Sequence, residues 1–269
     1  MSSRLLWPRE HGAWAMLLLP FFCALAAAGA VRWESLAAAV AILGVFLAQE
    51  PLLVLLRQRF KWRDRREATG QAVFTLVRVL PPAVVAAAFL ALRLPWRPLC
   101  VLGGVAAILM TWRAVFTLSN KQRFVLLQIL EAAGLSSTAL LGYLSARGKL
   151  TREAFVLWGA FSLHHAAAFF VIRARLEAII GSKAEGLAHK RYRVIAWYAQ
   201  AVLAGVVVWA LLGGNPTFAL AIAIPFALHT RDLLRLGSPA FLKIPLTRAG
   251  WREVLISLAF AATLVQSLL

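Results

Sequence analysis

RQRFKWRDRREATGQAVFTLVRVLPPAVVAAAFLAL, residues 57–92, decides the fold. Its first fourteen positions hold six Lys and Arg, and the next twenty-two, 71–92, hold one charge, Arg78. A spanning helix needs about 20 mainly apolar residues, because each residue rises 1.5 Å across a hydrocarbon core about 30 Å thick. Nothing in 71–92 alternates at period two, so the run predicts a helix rather than a strand. A basic loop followed by such a run is the repeating unit of a multi-pass membrane protein.

The same ruler carried outward gives apolar runs at 11–31, 35–56, 71–92, 97–118, 123–145, 152–173, 192–213, 215–230 and 250–268. The expected fold is all-α: a polytopic transmembrane bundle of about nine helices forming one membrane domain over 1–269. The seventh and eighth runs are joined tightly, with Gly213-Gly214-Asn215-Pro216 as the turn between them.

Composition agrees. Of 269 residues 61% are hydrophobic and 15% charged, and the mean hydropathy is +0.76. Soluble domains are nearer half apolar and a quarter charged. The net charge of +18 is a footprint that nucleic-acid binders also carry. Here, however, the basic residues fall in short loops between apolar runs, and the aromatics lie within or beside those runs, so no nucleic-acid partner is expected. Cys23 and Cys100 each sit inside an apolar run and read as buried hydrophobes, not as a disulfide or metal pair.

Topology follows from the loops. Residues 1–10 and the even loops carry twenty Lys and Arg, whereas the odd loops carry six: Arg32, Arg93, Arg97, Arg147, Lys149 and Arg152. Positive charge accumulates in cytoplasmic loops. The N-terminus is therefore expected inside, and nine spans would leave the C-terminus outside. The two longest inside loops are 57–70 and 173–193, the latter reading RARLEAIIGSKAEGLAHKRYR. Such loops serve topology and draw anionic lipid headgroups, at about 1 kcal/mol per basic residue. Alternatively, Arg173, Arg175 and their neighbours recognise an anionic substrate directly.

Ionisable groups at membrane depth cost about 2.5–3.5 kcal/mol each on insertion scales, so they face a partner or a cavity. Their depths agree here. Arg78 lies roughly 10 Å in along helix three, Arg113 a turn from the inner end of helix four, and Gln128 and Glu131 in the first turns of helix five. Gln200 and His229 take comparable depths, and His164 and His165 lie nearer midplane. This one-sidedness points to a polar cavity open to the cytoplasm; the competing reading is a set of interhelical ion pairs, such as Arg113 with Glu131, that clamp the bundle. His164 and His165 project about 100° apart on a helix, and no HExxH, CxxC or carboxylate-rich partner accompanies them, so no metal site is expected. At the cavity mouth, Glu10 and His11 are either an interfacial anchor or proton-handling groups. KIPLTRAGWRE, residues 243–253, brings Lys243 and Arg248 to the inner face.

The opening PREHGAWAMLLLPF, residues 8–21, resembles the YwiC-like family of bacterial membrane proteins, and KIPLTRAGWRE fits its C-terminal part. That resemblance implies a bacterial inner-membrane location and carries no established activity with it. More loosely, the outline is similar to the UbiA-type intramembrane prenyltransferases, with nine helices, an inside N-terminus and active-site loops after helices two and six. The aspartate-rich motifs that bind diphosphate through Mg²⁺ in that family are missing: around Glu50–Glu67 stand only Glu50, Asp64 and Glu67, and Arg173, Arg175 and Glu177 occupy the second region. Magnesium needs convergent oxygen ligands, so Mg²⁺ has no support and no cofactor is expected.

Three functions follow, one of them a non-catalytic assembly subunit for which the sequence offers no test. The first is a UbiA-like protein that binds or modifies a lipid or isoprenoid with an anionic head. Arg78, Arg113, Gln128, Arg173, Arg175, Gln200, Lys243 and Arg248 would bind it, and Glu10, His11, Glu131 and His164 would act on it. The second is a transporter for a small anion or metabolite, which needs access from both faces and often broken helices; Pro20, Pro81-Pro82 and Pro225 could supply the breaks. The partners expected in either case include membrane lipids and their anionic headgroups.

Overall fold

The computed structural model describes residues 6, 11–62, 67–119, 124–181 and 191–269. These are helical almost throughout, with no strand among them: α1 His11–Ala28, α2 Trp33–Arg57, α3 Glu67–Arg93, α4 Trp96–Leu118, α5 Val125–Ser136, α6 Thr138–Arg147, α7 Arg152–Gly181, α8 Arg191–Leu212, α9 Pro216–Leu234, the four-residue α10 Pro239–Leu242, and α11 Leu246–Gln266.

Seven helical stretches among the described residues are long and apolar enough to cross a bilayer: α2, α3, α4, α5 with α6, α7, α8 and α9. The other two expected spans fall short of that standard. The apolar part of α1, Gly12–Ala28, is shorter, and α11 carries Arg248, Arg252 and Glu253 in its first turns. The outer faces suit hydrocarbon: Val85 and Leu92 on α3 are 69% and 86% exposed, and α4 buries only Thr117. A water-soluble monomer does not leave such continuous apolar surface bare, so the chain is a multi-pass membrane protein.

Three differences from the expected runs have local causes. The fifth run is two helices, broken at Ser137. The hydroxyls of Ser136, Ser137 and Thr138 bond back to the carbonyls of Ala132, Gly134 and Leu135, and such back-bonding bends helices. Thr138 also donates to the Leu17 carbonyl at 2.7 Å, which ties the break to α1. The sixth run, expected to end at 173, continues to Gly181, because RARLEAII holds good helix formers and no breaker. Between α8 and α9, Gly214 takes φ +72°, Asn215 caps α9 by accepting from Phe218 N at 2.9 Å, and Pro216 opens the helix. The expected turn is there.

Small residues set the closest helix approaches. A Cβ on Gly44 of α2 would land on the Ala83 Cβ of α3, and one on Gly142 of α6 would meet the Phe21 carbonyl of α1 at 2.9 Å. Backbones this close are how helices associate where lipid competes for every apolar contact. The largest buried apolar cluster joins α1, α6, α7, α8, α9 and α11. A second joins α1, α2, α3 and α6. The long α7, with twelve buried residues, carries the buried His164 and His165.

Candidate functional site

The adjacent histidines of α7 part company, as their helical offset requires. His165 turns to α5, where its Nδ1 lies 2.9 Å from Ser136 Oγ. His164 turns to α9 and α11: its Nε2 lies 2.8 Å from Ser257 Oγ, and its ring stacks parallel to that of His229 at 5.8 Å. His229 Nε2 in turn meets Glu253 Oε1 at 2.8 Å. All three histidines are buried. Phe260 packs against His164 at 4.7 Å and against Phe161 at 5.1 Å, closing the site with aromatic rings. Beside it, Arg252 of α11 pairs with Asp232 of α9.

Many polar atoms around this node have no hydrogen-bond partner among the described residues. They include Nδ1 of His164 and of His229, Nε2 of His165, Asp232 Oδ1 and Arg252 Nε; on α8, both amide atoms of the buried Gln200 are likewise without a partner among the described residues. A buried unpaired donor or acceptor costs about 1–3 kcal/mol, and such groups gather where a protein does something besides pack.

A second node lies across the bundle. Arg113 of α4 donates to Gln49 Oε1 at 3.0 Å and pairs with Glu131 of α5 at 3.6 Å and Glu50 of α2 at 3.9 Å. One guanidinium thus holds three helices, and its side chain is 26% exposed. Here the clamp reading of Arg113 with Glu131 describes the geometry.

The remaining expected residues scatter. Arg78 is exposed on α3, over the Phe74 ring at 4.3 Å. Arg173 lies over Phe169 at 5.0 Å. Arg175, expected in a loop, is buried on the extended α7 and donates to the carbonyls of Phe241, at 3.1 Å, and Ile244. It therefore staples the α10 segment rather than standing open to an anion. Gln128 donates to Tyr192 Oη at 3.4 Å, and Lys243 and Arg248 are exposed. Glu10 lies outside the described residues, as does the side chain of His11. Glu177, where a carboxylate motif was sought, accepts from Tyr192 N at 2.9 Å and so caps the start of α8.

Two hollows lie elsewhere than expected. One of about 550 Å³ between α1 and α2 is almost wholly apolar, lined by residues such as Phe21, Leu25 and Leu36. The other, about 220 Å³ between α9 and α11, is lined by Leu228, Arg231, Arg252, Leu255, Ile256 and Ala259. None of the residues expected to wall a polar cavity lines either.

Sequence reasoning overlooked the partners of the histidines. Glu253 and Ser257 lie four apart on one face of α11, and His229 and Asp232 three apart on α9. That spacing is a legible signal of a polar stripe within an apolar helix.

Residues 7–143, about half of the chain, match the protein family described as YwiC-like protein. No curated protein and no solved structure matches.

Proposed function

We propose that this chain, which belongs to the YwiC-like family, lies in a bacterial inner membrane with its basic end in the cytoplasm and there binds, or modifies, an amphiphile with an anionic head. One observation carries the reading: the hollow between α9 and α11 sets Arg231 and Arg252 beside Leu228, Leu255, Ile256 and Ala259. Arginines meet a phosphate or carboxylate through several donors at once, and the apolar lining takes a hydrocarbon tail. Arg252 also pairs with Asp232, which leaves its buried Nε without a hydrogen-bond partner among the described residues. Exposed Lys243 and Arg248 lie on the same stretch of chain and add to the field that draws an anion in. The arginines meet the head without magnesium, which keeps a UbiA-like helical arrangement with a different head chemistry as the working architecture.

The test is lipid-resolved mass spectrometry of the full chain purified in mild detergent. An anionic lipid or isoprenoid should copurify with the native chain and be depleted several-fold in the Arg231→Ala, Arg252→Ala double variant. Equal lipid profiles would overturn the reading. Orientation is read in the same cells: Lys149→Cys should label from outside and Lys243→Cys only after permeabilisation. Access to Lys243→Cys from both sides would favour the small-anion transporter instead.

A further inference from the structure

We propose that His164, His229 and Glu253 bind a divalent first-row transition-metal ion within the membrane domain. Each residue offers one ligand atom, from α7, α9 and α11 respectively, and the three atoms lie within 4.8 Å of one another. Both histidines are fully buried, and the Glu253 side chain is 15% exposed.

The donor chemistry is specific. An imidazole nitrogen and a carboxylate oxygen 2.8 Å apart both carry lone pairs, so something electrophilic must stand between them: a proton or a metal ion. His229 Nε2 and Glu253 Oε1 are in that position. His164 supplies the third donor. In the tautomer that places the proton on Nε2, His164 donates to Ser257 Oγ and its lone pair sits on Nδ1, a buried ring atom with no hydrogen-bond partner among the described residues. A ligating histidine held through its other nitrogen is the usual second-shell arrangement. Two imidazoles and one carboxylate suit zinc, iron or cobalt, whose bonds to these atoms are about 2.0–2.2 Å. Such bonds set tetrahedral donors roughly 3.3 Å apart, so closure requires side-chain shifts on the order of 1 Å. A site with three protein ligands leaves a position open for water or substrate. Phe260 and Phe161 wall it off.

This inference is independent of the anion-binding groove, since its ligands do not line that hollow, and its test involves no lipid. The untagged full chain is stripped with a chelator in detergent and equilibrated with Co²⁺, whose visible spectrum reports coordination, and with Zn²⁺ for metal analysis. The native chain should retain one ion per chain and unfold at a higher temperature with metal than without. Glu253→Gln and His229→Gln keep size and hydrogen bonding but should lose the ion and the metal-dependent shift, and Ser257→Ala should bind about 10-fold to 100-fold more weakly. Glu131→Gln, at the other node, should bind as the native chain does. Substoichiometric metal in the native chain, or full retention in both glutamine variants, would overturn the proposal and leave the node a proton-bridged pair.

Discussion

The arginine node of α2, α4 and α5 and the histidine node of α7, α9 and α11 each bring polar groups from three helices together, toward opposite ends. At the first, Arg113 meets two carboxylates and an amide, and the side chains remain a quarter to two-fifths exposed. At the second, the rings are buried outright, and several ring and carboxylate atoms lack partners among the described residues. A polar cluster whose strong groups are met holds helices together. One that leaves buried donors and acceptors over is costly to keep, and that cost is the mark of a site.

The largest way to break this comparison is Glu253→Ala. Removing one partner from a buried pair costs about 3–5 kcal/mol, and thermal or denaturant unfolding in one detergent should show a loss of that order. Gln200→Leu tests the unsatisfied atoms by sign: an apolar residue of similar size should stabilise the fold by about 1–2 kcal/mol, and a loss of stability would mean that the amide has a partner. Arg113→Ala should cost less, about 0.5–1 kcal/mol, because its ion pairs are partly exposed. Smallest of all, Arg78→Ala should lie within about 0.5 kcal/mol of the native stability, since its one described contact is the Phe74 ring.

Much of the fold was legible because hydrophobic length is a local property. Each expected run coincides with a helix or, at 123–145, with a pair of them, and Gly214, Asn215 and Pro216 form the turn their types demand. The break at Ser137 was legible in principle, since three hydroxyl residues in a row can each bond back. It escaped because the run is apolar enough to mask it. The site was half legible. Membrane cost flagged His164, His229, Arg113 and Glu131 as groups needing partners, but which helix faces which is settled by packing across the chain. Ser257 lies 93 residues from His164 and Glu253 24 from His229, separations on which local periodicity is silent. Arg175 was misjudged for the opposite reason: loop position suggested an anion ligand, whereas the unbroken helix carries it inside to the carbonyls of Phe241 and Ile244.

The difference between the nodes is tested most directly by parallel double-mutant cycles for His229 with Glu253 and for Arg113 with Glu131, measured by unfolding in the same bilayer mimetic. The account predicts a coupling of about 2–3 kcal/mol at the buried histidine pair and about 0.5–1 kcal/mol at the arginine pair. Equal couplings, or a stronger one at Arg113, would contradict it.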